Sequence, residues 1–328
     1  MLGLSGRAMA AVSADVLVRI DLGGKSIGGF VAELEGKTYV FTNAQLISGH
    51  DRFTISTLSG ESVQLKKIEL SATRDLARFL VDKRPSMAID SAVTAGESIS
   101  VYDYTTPGSV HALPGRVGKV YDGRFQVESG FSENHYGSPV TKENGSVCGI
   151  ATLANFYMYA SDDWNSSTIR TVYQLEGDTW YSPRWKKYNS TYGKTLRETD
   201  EFRSDIYEMA KQWMADPQQR QETKEDIKYG LDVERWLKQC NGLVTAIEDA
   251  ASDVKNNDRY RSVRKDFSDC CTALVDTCQH KARNLTFLAK DPKISPFLKK
   301  EFFWRAKELN TFTSYIRFHE KQTLDRRW

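Results

Sequence analysis

Apolar and polar residues alternate with a period of two through the first half of the chain and with a period near 3.6 through the second. Val16, Val18, Ile20 and Leu22 occupy every second position before Gly23-Gly24 turns the chain, which predicts a strand with one buried face. Residues 27–34 predict a second strand, Glu35-Gly36 a tight turn, and Lys37–Thr42 a third. Phe53, Ile55 and Thr57 alternate before the Leu58-Ser59-Gly60-Glu61 turn, and Val63, Leu65 and Ile68 follow it. Short strands and glycine turns recur from residue 16 to about 175 with no helical stretch between them, so an antiparallel sandwich or barrel is expected.

After Trp180 the rhythm changes. Phe202, Ile206, Met209 and Trp213 recur at steps of four and three, and Pro217 closes that helix. Val233, Leu237, Cys240, Val244, Ile247 and Ala251 predict a second helix, and Val263, Phe267, Cys270, Leu274 and Cys278 a third. Asp291-Pro292 and Ser295-Pro296 break the chain before a fourth, with Phe302, Leu309, Phe312 and Ile316 on one face. Four amphipathic helices joined by short turns imply a helical bundle. The expected layout is residues 1–14 as a disordered tail or export-signal remnant, a β-domain over 15–178, an aromatic-rich linker over 179–195, and a helical domain over 196–328. Trp180, Tyr181, Trp185, Tyr188 and Tyr192 make solvent a poor place for that linker, which is expected to lie on the β-domain.

Composition narrows the picture little. The 328 residues suffice for two cores, and a net charge of +2 gives no reason to expect nucleic acid or a membrane surface as partner. No apolar run approaches the roughly 20 residues of a membrane-spanning helix. Lys299, Lys300, Arg305, Lys307, Arg317, Lys321, Arg326 and Arg327 read as a solvated helix face. Among the five cysteines, Cys240 and Cys278 are candidates for a bridge in an oxidising compartment, and the set otherwise reads as buried apolar residues. No His/Cys/Asp/Glu spacing suits a metal, and no glycine loop suits a phosphate, so no cofactor is expected.

Three ordered segments carry a resemblance. Gly28-Gly29-Phe30-Val31 with Tyr39-Val40-Phe41-Thr42-Asn43-Ala44-Gln45-Leu46-Ile47, then Asp75-Leu76-Ala77-Arg78-Phe79-Leu80-Val81, then Asn134-His135-Tyr136-Gly137-Ser138-Pro139-Val140 are similar to segments of the trypsin-like serine proteases, in their HtrA-type branch. Ala95–Val101 and the Gly115-Arg116-Val117 segment are similar to strands of that family's second barrel. The resemblance implies a double β-barrel of trypsin type over about half the chain, and by habit of that branch a bacterial protein of the periplasm or cell exterior. It places Gln45 on the catalytic histidine, Asp75 on the aspartate and Tyr136 on the serine. Asn134, His135, Tyr136 and Gly137 fall on the oxyanion loop. Cys148, Gly149, Ile150, Ala151, Thr152 and Leu153 fall on the strand whose edge pairs with an extended peptide. The helical half has no counterpart in that branch.

Peptide hydrolysis on such a scaffold needs a hydroxyl activated by an imidazole that a carboxylate orients. The amide of Gln45 cannot take up and return a proton near neutral pH. Tyr136 brings a phenol, a group with an ordinary pKa of about 10 and an oxygen beyond the reach of a serine hydroxyl. The bulk of Tyr136 is expected to plug the space before the oxyanion donors. His135 reads as a surface histidine, Ser132 and Ser138 as loop hydroxyls without a base, and His50 as a substitute base only in a different register. The leading expectation is therefore a catalytically inactive, trypsin-like pseudoprotease that binds a protein or extended peptide. The alternatives are an active serine-type endopeptidase with an atypical arrangement, and a helical scaffold or oligomerisation protein with a structural β-domain.

Overall fold

The computed structural model describes residues 12–103, 110–152, 169–214, 242–247, 249 and 257–325. The chain divides into two compact units, Met1–Lys194 and Thr195–Trp328.

The first unit holds two sheets in which every strand pairing is antiparallel. Strands β1 (Leu17–Asp21), β2 (Ser26–Leu34), β3 (Lys37–Thr42), β4 (Thr54–Thr57), β5 (Lys67–Ser71), β6 (Ala77–Leu80) and β13 (Trp180–Tyr181) form one of them, in the order β13-β5-β6-β3-β2-β1-β4. The β2–β3 turn follows from its residues. Glu35 and Gly36 both take positive φ, 53° and 72°, and this two-residue geometry matches the twist of flanking strands. Strands β7 (Ser98–Asp103), β8 (His111–Tyr121), β9 (Arg124–Ser129), β10 (Pro139–Lys142), β11 (Val147–Ala151) and β12 (Ile169–Tyr173) close into a barrel, in the order β10-β11-β12-β9-β8-β7. The double barrel expected from the sequence is thus one closed barrel and one seven-stranded sheet that its pairings leave open.

Aromatic residues 180–192 are held by the first unit's own strands and turns. Trp180 pairs with Ser71 of β5, and the Trp185 ring meets Phe53 edge-on at 6.0 Å while its indole N–H donates to the His50 carbonyl at 3.3 Å. Asn189 is buried, accepts from the Gly49 N–H at 2.6 Å and donates to Asp51 at 2.9 Å.

The second unit carries α3 (Lys194–Met214), α4 (Asn257–Leu288) and α5 (Pro296–Asp325); the short helices α1 (Ala44–Ile47) and α2 (Trp185–Tyr188) belong to the first. Contacts from Arg264 to Leu324, Ser268 to Glu320 and Thr272 to Arg317 run in opposite directions along α4 and α5, which makes them an antiparallel hairpin. Ser295 accepts the Leu298 N–H and Pro296 opens the helix, a favourable start for α5. The buried stripe of Phe267, Leu274, Cys278, Phe302, Leu309, Phe312 and Ile316 follows the spacing read in the sequence. Most of the expected second helix, Cys240 included, lies outside the described residues; 242–247 are helical, with Val244 and Ile247 buried. Cys278 is buried with a free thiol.

One reading of this unit is corrected. Arg305, grouped with a solvated basic face, is 0% exposed. Two carboxylates explain why, one from α3 and one from its own helix: Arg305 donates to both oxygens of Asp200 at 2.7 and 2.9 Å and to Glu301 at 2.6 Å.

Candidate functional site

Three segments far apart in sequence converge on Asp75, which is 1% exposed. Gln45, in the first turn of α1, donates its backbone N–H to Asp75 Oδ1 at 2.8 Å. Thr152, just past β11, donates its hydroxyl to Oδ2 at 3.3 Å. Asn43, at the N-terminal boundary of α1, uses its amide nitrogen twice, on the Asp75 carbonyl and on Thr152 Oγ1, both at 3.1 Å. A carboxylate at the N-terminal end of a helix meets unpaired amides and the positive end of the peptide dipoles. Burial of Asp75 is therefore offset by backbone and hydroxyl donors. This contact is made by the backbone of Gln45.

Tyr136 is 8% exposed and belongs to the apolar interior of the closed barrel, with Ile99, Val101, Val117, Phe131, Val140 and Val172, while Leu46 of α1 packs against the same cluster. The loop before it is tightly wound. Glu133–His135 form a 3-10 turn in which the His135 N–H donates to the Ser132 carbonyl at 3.0 Å. Ser138 N–H returns to the His135 carbonyl, and Gly137 N–H crosses to the Ala151 carbonyl, each at 3.0 Å. Gly137 takes φ of +86°, and a Cβ there would meet the Gly28 carbonyl oxygen at 2.3 Å, so only glycine fits.

Two expectations fail at this site. His135 is not a surface histidine: it is buried, its ring lies 6.3 Å from that of Phe131, and Nδ1 accepts the Ser132 N–H at 3.0 Å. Local turn geometry folds the ring back onto its own loop, which side-chain alternation does not foresee. The segment Cys148–Ala151 offers no open edge. Ile150 pairs with both Pro139 and Tyr173, Ala151 pairs with Val172, and Val147 exchanges hydrogen bonds with Ala88 and Asp90. Closure of the barrel occupies both sides of this strand. Thr152 is drawn toward Asp75, its N–H donating to the Thr171 carbonyl at 3.4 Å, and Leu153 lies outside the described residues.

The role of Asn43 and Thr152 beside Asp75 was not legible in the sequence. Polar residues flanking the Gln45 and Ile150 segments were the only signal. Burial pushes the Cys148 thiol up to about 12, and its sulfur donates to the Val140 carbonyl at 3.3 Å, which makes it an inert core residue. Among the described residues, no group of three His, Cys, Asp or Glu side chains is placed to hold a metal ion, and no helix is long and apolar enough to cross a membrane.

No protein-family model matches the chain, and no curated protein matches it. Proteases are among the solved structures similar to it. An inactive serine-to-alanine form of Rv3671c from M. tuberculosis H37Rv is 16% identical over 51% of this chain and 92% of that one, with a TM-score of 0.39. The active form of the same M. tuberculosis protease is 17% identical over 49% and 77%, also at 0.39. A serine endoprotease from Yersinia pestis is 16% identical over 49% and 59%, at 0.38.

Proposed function

We propose that the first unit is a trypsin-like double β-barrel without hydrolytic chemistry, and that the protein acts by binding a protein or extended peptide. What carries this reading is the state of the three triad positions. Asp75 is committed to the Gln45 amide and the Thr152 hydroxyl, and Tyr136 is part of a hydrophobic core. A nucleophile has to reach a carbonyl carbon with its oxygen about 3 Å away and a base beside it. A phenol packed among valines and a glutamine amide meet neither need. With bond cleavage removed, shape and surface recognition are the remaining uses of such a domain. By extension of the resemblance to an exported branch, the proposal includes action in the periplasm or outside the cell.

Incubation of the purified chain with casein and with a fluorophosphonate probe tests the reading. Intact casein and an unlabelled protein are expected; cleavage, or stoichiometric labelling of a single residue, overturns it.

Hydrolysis from an atypical arrangement has one observation behind it, the Ser132 hydroxyl 3.4 Å from His135 Nδ1. That distance is long for a hydroxyl hydrogen bond, and Nδ1 already accepts the Ser132 N–H at 3.0 Å. The pair is a local turn device. Probe labelling that disappears in Ser132→Ala would reverse this conclusion.

A further inference from the structure

The outer face of the α4–α5 hairpin bears two adjoining hollows of about 500 and 450 Å³ that meet at Phe303 and Lys307. Their walls span residues 296 to 314 of α5, about 27 Å at the rise of a helix. The larger hollow has Phe303 and Trp304 as its apolar floor and Lys299, Lys300 and Lys307 at its rim. Phe303 is 43% exposed, an unusual position for a phenylalanine on a helix whose other face is already fully packed. Trp304 is held from one side by the guanidinium of Arg203, 4.8 Å from its ring, so the floor is rigid.

Charge decides the chemistry of the occupant. No acidic side chain lines either hollow. Lys299 and Lys307 make no ion pair among the described residues, although acidic residues are as common as basic ones over the chain, 43 against 45. Lys299 and Lys300 also stand at the start of α5, whose first turn carries no acidic residue. Cations there oppose the helix dipole. A cost kept at an exposed aromatic floor fits a surface that receives negative charge.

We infer that this groove is a docking site for an acidic peptide segment of a partner protein, anchored by an apolar side chain on Phe303 and Trp304 and by carboxylates on Lys299 and Lys307. A strip about 27 Å long along one helix, with an aromatic patch between lysines, suits an extended acidic segment of several residues. The inference concerns the helical unit alone and stands or falls apart from the state of Gln45 and Tyr136.

Selection of a displayed library of random 12-residue peptides on the full-length protein tests it, followed by anisotropy with labelled winners. Enriched sequences are expected to carry Asp or Glu around a Leu, Phe or Trp. Affinity is expected to drop at least tenfold in Lys299→Glu/Lys307→Glu and in Phe303→Ser, and at least fivefold on raising NaCl from 50 to 300 mM. Phe303 and both lysines are exposed, so the variants are expected to keep the parent melting temperature. An absence of enrichment, winners poor in acidic residues, or winners indifferent to these substitutions overturns the inference. So does binding to phosphatidylserine vesicles that these peptides do not compete away, which would point to a membrane surface instead.

Discussion

In the β-unit, Arg78 lies between the rings of Tyr39 and Trp180, at 4.3 and 4.2 Å, and donates to Glu69 at 2.7 Å. In the helical unit, Arg203 and Arg305 face three carboxylates, Asp200, Glu301 and Glu308. The first arrangement is two cations, Arg78 and Lys67, to one anion, with aromatic faces around Arg78. The second has an anion to spare. Burial works against the charge of Glu69, but Lys67 and Arg78 outweigh it and hold that carboxyl below its usual value. Burial also works against Asp200, and Arg305 with Arg203 outweighs it in the same way. Glu308 is the surplus member. Burial pushes its carboxyl up, Arg203 and Arg305 recover only part of the loss, and about 7 results. A buried carboxyl outnumbered by cations stays charged through neutral pH, whereas a surplus carboxyl in a buried cluster titrates there.

That contrast can be broken at its strongest point by Arg305→Met. Asp200 and Glu301 would remain with a buried carboxylate environment and one guanidinium fewer, a loss of about 3–5 kcal/mol. Chemical denaturation is expected to show the helical unit unfolding well before the β-unit, and coincident, unshifted transitions would refute the idea.

Tyr136→Ser addresses the β-unit next. Removing a ring from a packed barrel is expected to cost about 3 kcal/mol, read as a lower melting temperature, with no gain of casein hydrolysis. A stable or proteolytic variant would mean that Tyr136 is not the core residue described here.

The pH response separates the units directly. Glu308 has a folded value near 7 against an ordinary 4.5, so the fold prefers its protonated form. Its contribution is most favourable below about pH 4.5, declines as pH rises toward 7, and is flat above. The loss is on the order of 2–3 kcal/mol. Melting of the helical unit is expected to fall between about pH 4.5 and 7, and Glu308→Gln to flatten that slope. Asp200 and Glu69 act in the opposite sense only in acid, where stability drops as pH falls through their lowered values.

The smallest effect is expected from Gln45→Ala. Asp75 binds the main chain of residue 45, so the substitution keeps the contact at a cost below about 0.5 kcal/mol, whereas Asp75→Ala removes it and costs more. Equal losses measured by urea titration would assign the contact to the side chain instead.

Much of the architecture was legible because it repeats. Alternation from Val16 to Leu22 matches β1, residues 27–34 lie in β2 as expected, and the steps of four and three from Phe267 to Cys278 and from Phe302 to Ile316 match the packed faces of α4 and α5. What periodicity misses is where polar residues go when a distant partner hides them. Arg305 sits among solvated lysines in sequence, and the carboxylates of Glu301 on its own helix and of Asp200, more than 100 positions away, make its burial tolerable. Thr152 reaches Asp75 across 77 positions, and His135 turns inward by a contact three residues long; neither leaves a trace in a hydrophobic pattern. Strand closure was likewise invisible, because an edge strand and an internal one in a barrel share the same alternation.

Gly137 ties the Tyr136 loop to the Gly28 carbonyl of β2, across the line where the open sheet and the closed barrel meet, as Leu46 does from the other direction. The backbone around Asp75 and Tyr136 is therefore a weld between two halves of one unit. A weld has to keep its shape whether or not any reaction once took place along it. Tight geometry at this spot is what holding the two sheets together demands.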